Sequence, residues 1–371
     1  MSAPAPQTHG TPEPVPSTSF ALPAQPTDVV WPTMAWATGE QLSGDPDRVE
    51  ALLDAPFLTG TTDELGLSLA FIAVQGGRVV AERYGPSASS TTPLISWSTA
   101  KSITHAALGI LVGDGLVDPA APLAAPEWSG PGDPRAAITW NDLLAMRSGL
   151  HFNEDYVDAE ESNCIEMLFG AGADDVASYA AGLPLEHPVD AVYNYSSGTT
   201  NLITRAMADV LHAHSGGDPS DPAARRDVME RFLRDRIFDP IGMTSADPRF
   251  DAAGTFVGSS YVYATARDFA RFGLLYLRNG VWDGERLLPE GWVDDARTIR
   301  SVDPDDGRLY GHHWWVRGDR HGTFWANGYE KQLIVCVPAL DLVIVRLGKT
   351  TAEQTDAFQS FWHGIIDAFA D

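Results

Sequence analysis

The stretch "SWSTAKSITH", residues 96–105, holds one of only three lysines in the chain, Lys101; the others are Lys331 and Lys349. Lys and Arg together number 25, which leaves 22 arginines. A sequence that otherwise chooses arginine therefore places a lysine three positions after Ser98. If a helix starts near Thr99, the two side chains share a face. A serine hydroxyl becomes a good nucleophile only when a neighbour takes its proton. An amine does this when uncharged. Unperturbed, with a pKa of about 10.4, roughly one lysine in 2,500 is neutral at pH 7; burial and nearby cations raise that fraction. Arginine keeps its proton in proteins and cannot serve. Trp97, Ala100, Ile103, Ala106 and Ala107 are apolar or small and imply a partly buried segment. A solvated helix lysine is the plain alternative, and the scarcity of lysine weighs against it.

The rest of the composition narrows the function classes. The formal charge is −25, with 50 acidic residues. Such a surface repels nucleic acids and anionic membranes, so neither is expected as a partner. Two cysteines, Cys164 and Cys336, are too few for a disulfide framework or a cysteine-based metal site. No run of about 18 apolar residues marks a membrane span. The N-terminal segment "MSAPAPQTHGTPEPVPSTSFALPAQP" has neither a basic start nor an apolar run, so a cytoplasmic protein is expected.

Working outward, residues 1–44 read as an extended, Pro-rich arm that wraps the body or stays free. "DPDRVEALLDAPF" (45–57) opens with a capping Asp and a Pro, then runs helically. "LAFIAV" (69–74) and "VVAERY" (79–84) flank "QGGR" and read as a hairpin. From residue 98 to 254 helical periods dominate, as in "NLITRAMADVLHAH". Strands return in "GTFWANG", "QLIVCVP" and "LVIVRLG", and "EQTDAFQSFWHGIIDAFA" closes the chain with helical spacing. The expected fold class is α+β: an antiparallel sheet flanked by helices, from 45–97 and 255–371, plus an inserted, mostly helical domain at 98–254. The cleft between two such parts favours a small-molecule site.

An S-x-x-K that opens a helix after an early hairpin resembles the nucleophile motif of the serine β-lactamase and penicillin-binding protein superfamily. "VYNYSSGTTNLI" (192–203) offers Tyr195-Ser196-Ser197, similar to the tyrosine motif of the class C branch. "LLAMRSGLHFNEDY" (143–156) and "WANGYEKQLIVCVPALDLVIVRLG" (325–348) resemble segments of the 6-aminohexanoate-oligomer hydrolases and related esterases. The likeness spans residues 45–370 or so. One departure matters. Where β-lactamases carry Lys-Thr-Gly on a strand beside the site, this chain reads Ala326-Asn327-Gly328. No cation stands on that strand, which fits an amidase or esterase better than a β-lactamase. Relatives also often have Gly-Gln where this chain has Lys331-Gln332.

The resemblance implies a mechanism. Ser98 attacks a carbonyl, Lys101 takes its proton, and Tyr195, its phenol pKa lowered by Lys101, passes a proton to the leaving group. Ser197 supports the network. Backbone N–H groups of Ser98 and Tyr329 would form the oxyanion hole, Tyr156 would hydrogen-bond a substrate amide, and Asn327 and Gly328 would line the substrate site. No cofactor is expected and no metal; "HHWW" (312–315) reads as packing, with two histidines on opposite strand faces. The expected function is a serine hydrolase acting on linear amides such as 6-aminohexanoate oligomers. A carboxylesterase on short acyl esters comes second, a β-lactamase or DD-peptidase third, and a catalytically inert binding module is the reading from another class. Tryptophan-rich segments, read as exposed, make a homodimer possible.

Overall fold

The computed structural model describes residues 15–371 apart from 217 and 219, so the first fourteen residues of the arm lie outside the described residues. Helix α1 (Pro46–Leu58) starts where the Asp45 carboxylate accepts the Arg48 N–H at 3.2 Å. Strands β1 (Gly66–Gln75) and β2 (Arg78–Tyr84) form the expected hairpin. Gly76 and Gly77 turn it with φ of +56° and +75°, the left-handed values a tight hairpin needs. Helix α2 (Ala100–Gly113) follows Ser98, and α3 (Ser197–Ser215) follows the tyrosine motif. Then come α4 (Ala266–Leu277), β3 (Trp315–Val316), β4 (Phe324–Gly328), β5 (Gln332–Val337), β6 (Leu342–Lys349) and α5 (Thr355–Ala370).

Among the described residues the main sheet has nine strands, antiparallel at every pairing, and runs β2–β1–β6–β5–β4–β3 through its centre. Both faces are covered. Phe71, Val335 and Ile344 point to α1 and α5, where they meet Leu53, Phe361 and Ile365. Ile72, Ile334 and Val345 point the other way, toward Phe269 of α4 and the helices beyond. Burial on both sides explains why these strands read as continuous apolar runs rather than alternating ones. The α+β architecture expected from the sequence is the one observed. The sheet side and the helical side share one apolar core, from Ile334 to Leu202 and Leu144. No helix among the described residues is long and apolar enough to cross a membrane.

The described part of the arm wraps the body. Buried arginines hold its carbonyls: Arg297 donates to Ser17 at 2.7 Å, Arg278 to Pro23 at 3.2 Å and Arg271 to Pro32 at 2.8 Å. The tryptophan-rich segments are not exposed as expected. Trp314, Trp315, Trp325 and Trp362 are all buried, so they supply no apolar face for a second copy. The histidine pair also differs from expectation. Only Trp315–Val316 is strand; His312 and His313 precede it in a bend, and both are buried. His312 Nδ1 lies 2.6 Å from Asp295, while His313 contacts Thr200 Oγ1 at 3.0 Å and the Leu144 carbonyl.

Two predictions follow the polar groups buried in this frame. Arg346, 1% exposed, donates to the carbonyls of Glu330, Lys331, Leu65 and Leu67 and to the Thr350 hydroxyl. Arg346→Met would leave these acceptors unpaired and should lower unfolding stability by about 2–4 kcal/mol in denaturant titrations. For His313, burial pulls the imidazole down to about 3, from 6.5. The unfolded chain therefore binds the proton first. Its contribution is present above about pH 6.5 and is lost as pH falls toward 3, with a slope approaching about 1.4 kcal/mol per pH unit. Denaturation midpoints measured from pH 7 to pH 4 should flatten in His313→Gln.

Candidate active site

The turn before α2 is pinned on both sides. Ser96 N–H donates to the Val262 carbonyl at 2.9 Å, and its hydroxyl donates to the Ser260 carbonyl at 3.1 Å. Trp97 is then forced to φ +44°, its ring between Tyr261 and Tyr329. One 3-10 turn, Trp97–Thr99, carries Ser98 to the helix start. Lys101 leaves the first turn of α2 and points back, as helical side chains do. It is 1% exposed. Its Nζ donates to Ser98 Oγ at 3.0 Å, Ser197 Oγ at 2.9 Å and the Ser259 carbonyl at 3.1 Å. Three acceptors surround the nitrogen at about 3 Å. The contact to Ser98 is the one along which a proton can move between hydroxyl and amine.

Tyr195 completes the group. Its ring lies 4.8 Å from Lys101 Nζ and stacks on Trp315. The phenol departs from the expectation that Lys101 lowers it. Burial raises it and outweighs the Lys101 charge and the hydrogen bonds from Ser98 and Lys101. Tyr195 is thus a neutral phenol, suited to giving a proton rather than standing as a phenolate. The segment "LLAMRSG" acts as its support. Met146, at φ +58°, accepts the Asn194 N–H on its carbonyl and the Ser196 N–H and Thr199 hydroxyl on its sulfur.

Glu154 is the member the sequence did not disclose. One carboxylate oxygen accepts the Ser197 hydroxyl at 2.5 Å and the Tyr156 hydroxyl at 2.9 Å; the other accepts the Ser197 N–H at 2.6 Å. The Ser197 proton is thereby committed to Glu154, and its oxygen faces Lys101. Among 50 acidic residues nothing local marked this one, and the contact spans 43 residues. Tyr156 is at the site, but its hydroxyl is engaged by Glu154. Its half-open ring leans on Tyr329 with centroids 4.9 Å apart.

The strand departure is structural too. A Cβ on Gly328 would lie 2.4 Å from the Ser96 carbonyl and 3.2 Å from Ser98 N, so only glycine lets β4 approach Ser98 this closely. A cavity of about 530 Å³ opens over Ser98, with Tyr156, Tyr195, Asn327 and Tyr329 in its walls. Every sequence-proposed site residue is therefore brought together. Among the described residues no group of three or more His, Cys, Asp or Glu could hold a metal ion.

This fold and site bring a serine and a lysine together on one helix turn at the floor of a cavity. The sequence profile of the Beta-lactamase family matches residues 61–363, and the chain belongs to that family; it is a serine hydrolase. The 6-aminohexanoate-dimer hydrolase of Paenarthrobacter ureafaciens is 26% identical over 313 residues, 80% of this chain and 75% of that one. A solved structure from Bacillus anthracis, provisionally described as a 6-aminohexanoate-dimer hydrolase, aligns with a TM-score of 0.68 at 21% identity. It covers 93% of this chain and 89% of its own. A family VIII carboxylesterase aligns at 0.62 with 12% identity, over 88% and 99%. These two structures share the fold.

Glu154→Gln puts a donor where Ser197 now finds only acceptors. We expect kcat for 4-nitrophenyl acetate to fall about tenfold to a hundredfold, with KM changed far less, in steady-state assays.

Proposed function

We propose that the chain hydrolyses linear amides of the 6-aminohexanoate-oligomer type through an acyl-Ser98 intermediate. The observation that carries this is the 3.0 Å contact between Lys101 Nζ and Ser98 Oγ, buried yet opening onto the cavity. Lys101 takes the Ser98 proton as Oγ attacks the carbonyl. The N–H groups of Ser98 and Tyr329 hold the oxyanion; losing one such donor typically costs about 3–4 kcal/mol in the barrier. Tyr195 gives its proton to the leaving amine, is reprotonated through Lys101, and then orients the water that releases the acyl group. Ser197, locked by Glu154, keeps Lys101 aimed. Tyr156 closes over the bound amide with Tyr329, and Asn327 and Gly328 flank the chain.

A carboxylesterase acting on short acyl esters is the second reading, since the same attack serves both. The Ala326-Asn327 pair in place of Lys-Thr places β-lactams third. A cytoplasmic setting, with a small-molecule substrate as the partner, belongs to the same proposal. So does the division into a sheet domain and a helical domain at residues 98 and 254.

A fluorophosphonate probe should label the protein and fail to label Ser98→Ala. Lys101→Arg should lose at least about a thousandfold in kcat, because a guanidinium does not accept the proton. Turnover of an aminohexanoate linear dimer, a 4-nitrophenyl ester and a chromogenic cephalosporin then ranks the readings. A cephalosporin preferred by a wide margin overturns the amide assignment.

A further inference from the structure

Lys331 is the second of the three lysines, and the chemistry above leaves it unused. It lies in the turn between β4 and β5, three residues past Gly328, with φ of +64°; Glu330 before it has φ of +56°. A lysine in left-handed backbone is strained where glycine is not. The turn is held in place from below. Arg346 donates to the Glu330 and Lys331 carbonyls, and Gln332 Nε2 donates to the Tyr329 and Gly348 carbonyls at 3.1 and 2.6 Å. Strain maintained this way is commonly found where a side chain must be presented.

What the turn presents is a cation. Lys331 lines the reaction cavity and also a second cavity of about 350 Å³ beside it, and Asn327 and Arg308 are shared by both. Trp325, Phe358 and Trp362 give the second cavity an apolar lining. The other cations there are occupied. Arg308 Nε lies 2.6 Å from Asp306 and Arg317 lies 3.1 Å from Asp319. The Lys331 amine forms no ion pair or hydrogen bond with any described residue. Burial and the Arg308 charge pull its pKa down, against the weaker opposing effect of Asp306, so a bound anion would stabilise it. In a chain of net charge −25 with 50 acidic residues, Lys331 thus stands on a cavity wall with no ion pair to any described residue.

We propose that Lys331 recognises a carboxylate on the substrate, and that the substrate class is an acyclic amide or ester whose apolar chain ends in that carboxylate. The claim rests on the hydrolase reading above and assigns its specificity. A single ammonium matches a monoanion, and the Trp-lined cavity matches methylenes. Ser98 and Lys331 line the same cavity of about 530 Å³, so a substrate attacked at Ser98 lies in the space the amine faces. The cation missing from the β4 strand is replaced by one set farther along, suited to a longer and more flexible substrate.

Hexanoate is the probe, with hexanol as its uncharged control. Both are titrated calorimetrically into the wild-type protein, Lys331→Gly and Lys331→Arg, and tested as inhibitors of 4-nitrophenyl acetate hydrolysis. Glycine accepts the left-handed backbone, so Lys331→Gly should melt no lower than wild type. We expect hexanoate to bind wild type at least tenfold more tightly than hexanol does. That preference should disappear in Lys331→Gly and return in Lys331→Arg. Equal binding of hexanoate to wild type and Lys331→Gly, no binding to either, or equal binding of hexanoate and hexanol overturns the assignment. If hexanoate binding depends on Lys331 while no ester or amide is turned over, the hydrolase reading fails and the anion site stands.

Discussion

Three N–H bonds leave the Lys101 nitrogen, and they end on Ser98, Ser197 and the carbonyl of Ser259. These acceptors come from the turn before α2, the start of α3 and the loop leading back to the sheet. With the amine almost fully excluded from solvent, each contact replaces a water that the charged form would otherwise hold. The helical insert must therefore dock in one register or the nitrogen is left unpaired. His313 fastens that register from the sheet side. Its carbonyl accepts the Ser102 hydroxyl of α2 at 2.7 Å, and its ring meets Thr200 of α3. Packing and the proposed chemistry thus draw on the same buried residues, and a change that loosened one would loosen the other.

Backbone strain follows the same map. Among the described residues, nine non-glycine residues have φ in the left-handed region. Four are Asp or Asn, which tolerate it in ordinary turns. The other five are Trp97, Met146, His313, Glu330 and Lys331. Trp97 precedes Ser98, Met146 holds the tyrosine segment, and His313 clamps the two helices. Glu330 and Lys331 follow Tyr329. Bulky residues persist in such conformations only where neighbouring contacts determine them.

Much of this was legible in the sequence, for reasons of distance along the chain. Ser98 and Lys101 are one helical turn apart, so their meeting is a local consequence of helix geometry. The hairpins were legible because Gly76-Gly77 and the apolar runs are local signals. Glu154 was not, because its partner is fixed by how a loop folds over α3, and an acid-rich chain hides one more carboxylate. The protonation of Tyr195 was misjudged because charge proximity is readable from a motif and burial is not. The tryptophans misled for a related reason: a sheet covered on both faces buries residues that a one-sided sheet would expose.

The uneven use of arginine and lysine has a physical basis in these contacts. Arg346 reaches four carbonyls and a hydroxyl, and Arg271, Arg278 and Arg297 each tie a carbonyl of the arm while pairing with an aspartate. That work needs a planar fork with five donors and a charge that stays put; an ammonium has three donors and no fixed plane. At position 101 the requirement is reversed. The group must fit among two hydroxyls and a carbonyl at about 3 Å, and in the mechanism proposed above it must also release and regain a proton within that cage. A guanidinium is too broad for the first condition and too basic for the second. The chain therefore uses arginine where a cation must brace the fold, and the lysine at position 101 suits the proton transfer proposed for it.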